Sequence, residues 1–194
     1  ADEEKEVIAV AIEIRGIKTK TIESINEGEN ILLRGPFWNG IFGVKKLNEL
    51  RNDKVIVLGR GIGIAPLIPV LKELSFRNNK VFLILDKGDF KEYIFNNELA
   101  FFQGEMVSMR IFENGELSNE LKECLFNLIN KEGYSHLHIS GPDILAYKLT
   151  KEYKNSLTLS CCNNAKMCCG EGVCGSCSSR YSGHIVKRLC KVQC

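Results

Sequence analysis

Residues 54–74 read KVIVLGRGIGIAPLIPVLKEL: a short apolar run, a glycine-rich turn, then apolar residues at helical spacing. A run this short, closed by a turn, is the pattern of a buried strand, and PLIPVLKEL opens a helix. The turn Gly59-Arg60-Gly61-Ile62-Gly63-Ile64-Ala65-Pro66 therefore joins a strand to a helix N-terminus. A dinucleotide pyrophosphate needs that context: bare backbone beside the phosphates, and amide N–H groups aimed at them. Gly59, Gly61, Gly63, Ala65 and Pro66 are the candidate binding positions. The turn departs from strict G-x-G-x-x-G, because position 64 is Ile. It lacks the Gly-Lys-Ser/Thr ending of a Walker A loop. A tight structural turn without a ligand is the alternative.

The same strand–helix alternation continues C-terminally. KVFLILD (80–86) predicts a second buried strand that ends at Asp86. An acid at that place can bind the ribose hydroxyls of NAD and repel the extra phosphate of NADP; a solvated strand end is the plainer reading. VSMRIF (107–112) predicts a third strand. SNELKECLFNLINKEG (118–133) predicts an amphipathic helix capped by Ser118 or Asn119 and ended by Gly133. HLHIS (136–140) predicts another strand, followed by a helix with Pro142 near its first turn. Such alternation predicts a parallel sheet with helices on its faces. N-terminally, EVIAVAIEI (6–14) and NILLR (30–34) are β-rich runs before the Gly35-Pro36 turn, and predict the end of a small antiparallel sheet or barrel.

The cysteines are lopsided. The chain of 194 residues has nine, and Cys161, Cys162, Cys168, Cys169, Cys174, Cys177, Cys190 and Cys194 all follow residue 160. The tail also carries five basic residues and one acid, a net +4 against −2 for residues 1–160. With 44% hydrophobic residues, a full apolar core and no secretion signal, the count argues for a metal or metal–sulfur cluster over a disulfide scaffold. Cys169-x4-Cys174-x2-Cys177-x12-Cys190 has the plant-type [2Fe–2S] spacing. Gly170, Gly172 and Gly175 lie within its loop, where backbone N–H groups must approach cluster sulfurs. A zinc ribbon through Cys174, Cys177, Cys190 and Cys194 is the competing reading. It leaves Cys169 and the glycines unexplained. His184 reads as a surface histidine.

Composition excludes other classes. A net charge of +2 gives no footprint for nucleic acid. No apolar run reaches the roughly 18 residues of a membrane span. The acidic opening ADEEKEVIAV is no signal peptide, so a cytoplasmic location is expected. Without an initiator Met, the chain reads as processed or trimmed.

Taken together, GRGIGIAP after a strand, Ser140-Gly141-Pro142 after the last strand, and the cysteine loop resemble the ferredoxin–NADP reductase superfamily. Within it, C-G-x-G-x-C-x-x-C from Cys169 to Cys177, with Cys190, resembles the electron-transfer subunit of two-subunit dihydroorotate dehydrogenases. Sulfide-dehydrogenase-like subunits are the near alternative. Some of those have an Asp where this chain has Cys169.

The resemblance implies a ferredoxin-reductase-like α/β fold in three parts. Residues 1–50 would be the end of a flavin-binding barrel, 51–159 the NAD domain, and 160–194 the [2Fe–2S] unit, with Cys169, Cys174, Cys177 and Cys190 as ligands. Gly16 and Thr19 resemble a turn beside the flavin phosphates. Gly35, Pro36, Asn39 and Phe42 resemble a second flavin segment. Gly141 and Pro142 would lie near the nicotinamide, and Ser140 stands at the position of a common catalytic Cys. The family's R-x-x-S flavin grip is not found before Gly16, so the FAD site is expected to be incomplete. The implied function is electron transfer between NAD(H), FAD and a [2Fe–2S] cluster, to or from a partner oxidoreductase subunit or other acceptor protein. The alternative is a zinc-binding interaction domain on a nucleotide-binding fold.

Overall fold

The computed structural model describes residues 7–33, 40–90, 95–165, 168–180 and 185–191. The chain divides into two compact units, 1–38 and 39–194.

In the first unit, α1 (Ile17–Glu23) is the one helix among the described residues. Gly16 precedes it in an extended conformation. Val7 makes an isolated bridge, and residues 8–15 form no regular strand. The expected run 6–14 is thus not a strand over its described residues. The apolar residues of the run stay exposed, Ile8 at 64% and Val10 at 67%.

In the second unit, β2 (Lys54–Arg60) and β3 (Lys80–Asp86) pair in parallel along their whole length. Both follow the expected runs. β7 (His136–Ser140) pairs with β2 on its other side. β4 (Glu105–Ser108) lies outside β3, and β8 (Thr158–Cys162) outside β7. The sheet order is β1-β8-β7-β2-β3-β4, parallel except for β1 (Ile41–Phe42), which runs antiparallel to β8. Among the described residues of 1–50, β1 is the sole strand, and it extends the large sheet. β8 is a further departure. Cys161 and Cys162 are sheet residues, paired with Phe42 and Ile41.

Helices cover both faces. On one, α3 (Leu67–Phe76) buries Leu67, Leu71 and Leu74 against Val55, Val57 and Leu83. α2 (Val44–Glu49) adds Leu47 to this layer. On the other, α4 (Asn119–Asn130) and α5 (Asp143–Tyr153) bury Leu121, Leu125, Leu145 and Leu149 against Ile56, Leu58 and Ile84. Each fully buried Leu contributes about 1.5–3 kcal/mol of transfer free energy. Ser118 caps α4 by accepting the Leu121 N–H at 3.2 Å.

The run 107–112 is not one strand. It divides between β4 and a hairpin, β5 (Phe112–Glu113) with β6 (Glu116–Leu117). Asn114 and Gly115 turn the hairpin with φ of 48° and 79°, the left-handed pair that a two-residue loop demands. In the cysteine region, β9 (Ser178–Arg180) and β10 (Val186–Arg188) form an antiparallel ribbon. Among the described residues no helix is long and apolar enough to cross a membrane.

Candidate dinucleotide turn and thiol loop

The strand order reverses between β2 and β7: β3 and β4 lie to one side, β7 and β8 to the other. In such sheets the crevice beyond the carboxyl ends of the strands, at that reversal, is the usual ligand site. Gly59–Pro66 and Ser140–Pro142 both emerge there. After Gly59 the chain makes one 3-10 turn, Gly61–Ile64, and Pro66 leads into α3. Gly61 has φ of 58°, which a β-branched residue resists. Gly63 is tied to close approach. A Cβ there would stand 2.7 Å from Gly141 Cα and 2.9 Å from the Ser140 carbonyl carbon. The two expected binding segments thus pack backbone to backbone. Ala65 closes the turn by donating to the Ile62 carbonyl at 3.1 Å. Pro142 is the N-cap residue of α5.

Ser140 lies beneath this contact, 1% exposed. It neighbours the Cys162 thiol, whose pKa is raised by burial and partly brought back by the Ser140 hydroxyl.

Asp86 stands at the carboxyl end of β3, 6% exposed. Its Oδ1 accepts the Gly88 N–H at 2.8 Å. Its Oδ2 accepts the Ile111 N–H at 3.0 Å and Arg60 Nε–H at 3.2 Å. Arg60, the cross-strand partner of Asp86, was not among the expected site residues. A charged residue inside a glycine-rich turn was the available clue.

A second buried polar group was also missed. His136, His138 and Ser140 alternate along β7 on the α2/α3 side, and Ser160 lies beside them on β8. Ser160 Oγ is 2.8 Å from both His136 Nε2 and His138 Nδ1, and His138 Nε2 is 3.7 Å from Cys162 Sγ. Burial holds both histidines neutral, with pKa values pushed down to about 4 for His136 and about 3 for His138. Among the described residues His136 Nδ1 has no hydrogen-bond partner.

The cysteine loop is built for thiolates. The Glu171 N–H donates to Cys169 Sγ at 3.4 Å, and the Cys190 N–H to Cys177 Sγ at 3.5 Å. Cys174 Sγ lies 3.3 Å from Ser176 Oγ. Once the thiol ionises that hydroxyl donates to it, and with the Ser176 N–H it brings the Cys174 pKa down to about 6. The Cys174 and Glu171 N–H groups lower the pKa of Cys169, and the Cys190 N–H lowers that of Cys177. Cys190 is raised, first because its thiol shares a hydrogen bond with Cys177 and then by burial. Arg188 donates to the Gly172 carbonyl and ties β10 to the loop.

Among the described residues no three His, Cys, Asp or Glu side chains stand close enough to hold one metal ion. The thiols interact most strongly in two pairs, Cys169 with Cys174 and Cys177 with Cys190, and more weakly between the pairs. Two pairs of thiolates are the donor set of a group with two irons, each taking two sulfurs from the protein. The residues fit a [2Fe–2S] cluster in donor type and pairing.

The flavin positions are less complete. Thr19 Oγ1 accepts the Arg15 and Gly16 N–H groups, both at 3.0 Å, so the hydroxyl caps α1. Phe42 lies in β1, half-buried. Gly35, Pro36, Asn39, His184 and Cys194 fall outside the described residues.

No family model matches the chain. A dihydroorotate dehydrogenase B (NAD(+)) electron transfer subunit from Clostridium acetobutylicum is 28% identical, over 98% of this chain and 72% of that protein. Sulfhydrogenase 2 subunit gamma from Pyrococcus furiosus is 25% identical, over 95% of this chain and 71% of that protein. The chain spans about two thirds of the length of the curated relatives it matches. Among solved structures, an NADH-dependent reduced ferredoxin-NADP oxidoreductase superposes with a TM-score of 0.69 at 23% identity. That alignment covers 92% of this chain and 63% of the other, and it shows the shared fold. With the sheet, the glycine turn and the paired thiols in place, the chain is a homologue of proteins named as dihydroorotate dehydrogenase B electron transfer subunits and sulfhydrogenase subunit gamma.

Proposed function

We propose that this chain is an NADH-linked electron-transfer module that works with a partner oxidoreductase subunit or another acceptor protein. The observation that carries the reading is that one unit, 39–194, holds both the turn at the sheet's reversal point and the two thiol pairs. The Gly59–Pro66 backbone binds the pyrophosphate of NAD(H), and the packing of Gly63 on Gly141 holds the two segments in register. Gly141 and Pro142 border the nicotinamide, with Ser140 beneath them. Cys169, Cys174, Cys177 and Cys190 hold a [2Fe–2S] cluster, and the N–H groups on the sulfurs of Cys169, Cys174 and Cys177 favour the thiolate form. Bound there, the cluster supplies one-electron chemistry, and FAD supplies the step between hydride and single electrons. Gly16, Thr19, Gly35, Pro36, Asn39 and Phe42 belong to the flavin side, and no R-x-x-S stretch accompanies them in these 194 residues. The 194-residue chain therefore binds FAD weakly or not at all and shows little NADH-dependent dye reduction.

Anaerobic purification tests the cluster. About two irons and two acid-labile sulfides per chain are expected. Cys169→Ser should lower iron content and visible absorbance. If both stay unchanged, Cys169 is no ligand. Stoichiometric zinc without sulfide would favour the zinc-binding interaction domain. FAD retained through gel filtration at one per chain would refute the incomplete flavin site.

A further inference from the structure

Within the turn read above as a dinucleotide site, one charged side chain has no assigned role. Arg60 ends β2 and faces Asp86, the last residue of β3. Its Nε–H donates to Asp86 Oδ2, and its Cζ lies 5.5 Å from the centre of the Phe112 ring. Its Nη2 lies 3.8 Å from Asp89, whose side chain is 82% exposed. The guanidinium is therefore held from one edge by a buried acid and stacked on an aromatic face. A quarter of the side chain, 25%, remains exposed. It also sits close to the turn. A Cβ on Gly88 would lie 3.4 Å from Gly61 Cα and 3.7 Å from Arg60 Cζ.

Asp86 has the opposite character. Its two oxygens already take three N–H donors, and its side chain is only 9% exposed. A carboxylate has about four acceptor positions, so a ribose would need both of its hydroxyls served by what is left. The charge that Asp86 would turn against a 2′-phosphate is also paired with Arg60. A planar guanidinium fixed along one edge presents its other N–H groups in a set direction, the arrangement that suits a phosphate oxygen.

We infer that Arg60 reads a phosphate group of the bound dinucleotide, and that Asp86 is its anchor and not a ribose ligand. Asp89, an exposed carboxylate on the same guanidinium, marks the side from which an anion approaches and is displaced when the phosphate enters. Two phosphates have this chemistry: the bridging pyrophosphate, present in NADH and NADPH, and the 2′-phosphate of NADPH. Asp86 therefore sets no bar to NADPH.

The inference rests on the dinucleotide reading of the turn, and calorimetric titration of the full chain with NADH and with NADPH separates the two. Arg60→Gln should weaken at least one ligand by about tenfold, as expected for a lost charge-assisted hydrogen bond. An equal loss for both ligands places Arg60 on the pyrophosphate, and a loss confined to NADPH places it on the 2′-phosphate. Arg60→Lys, which keeps the charge without the planar fork, should recover only part of the affinity and serves if Arg60→Gln does not fold. Asp86→Asn should weaken the same ligand as Arg60→Gln. Unchanged affinities in Arg60→Gln would overturn the role of Arg60. A gain for NADPH alone in Asp86→Asn would return Asp86 to the ribose. A native chain that binds neither dinucleotide would remove the dinucleotide reading itself.

Discussion

Two β-rich runs of this chain end differently. EVIAVAIEI at 6–14 and KVIVLGR at 54–60 are alike in composition, yet the second is a strand with Val55, Ile56, Val57 and Leu58 all 0% exposed. The first leaves Ile8, Val10, Ile12 and Ile14 between 38% and 67% exposed, outside any regular strand. A strand is stable when both its ladder and its side chains find neighbours. β2 has β3 and β7 on its two edges and helices on both faces. Among the described residues, 8–15 have none of these. Apolar alternation records a capacity to pair, and the partner decides whether it is used.

Four measurements test this contrast. The largest effect should come from acid, and should arise in the second unit. His136 and His138 have folded pKa values depressed to about 4 and about 3, from an ordinary 6.5. Below pH 6.5 the unfolded chain takes up protons that the folded chain refuses. Stability is therefore full above pH 6.5 and falls as pH drops towards 3, by on the order of several kcal/mol. Denaturant midpoints across that range give the slope, and His138→Phe should flatten it. An unchanged slope in that variant would clear His138.

Leu71→Ala comes next. Leu71 is 0% exposed under the sheet, and its truncation should cost about 2–5 kcal/mol in chemical denaturation. A loss below about 1 kcal/mol would mean that α3 is loosely packed. Ser118→Ala removes the cap of α4 and should cost about 1 kcal/mol, read as a lower melting temperature. The smallest effect belongs to the first unit. Val10→Ala should change stability by less than about 0.5 kcal/mol, because Val10 is 67% exposed. A Val10→Ala loss as large as that of Leu71→Ala would show that residues 7–14 are covered after all.

Much of the second unit was legible because its elements carry local marks. β3 and β7 match the expected ranges 80–86 and 136–140, and Ser118 caps α4 as its position before an amphipathic run implies. β8 was not legible. TLSCC is neither long nor strongly apolar, and it becomes a strand because β7 offers it a free edge. β1 was hidden for the same reason: two residues carry no period, and their pairing with β8 spans more than a hundred positions. The run 107–112 misled because Asn114-Gly115 turns the chain back just beyond it.

Local sequence decides what depends on near neighbours: the strand–turn–helix of residues 54–74, the helix caps, and the spacing of Cys169, Cys174, Cys177 and Cys190. These follow from backbone sterics and side-chain period, which act over a few residues. Tertiary structure alone decided which distant groups meet. Arg60 reaches Asp86 across 26 positions, and Ser160 joins His136 and His138 across 24 and 22. Each such meeting depends on strand order and register, and the composition of a segment does not encode the strand that will lie beside it.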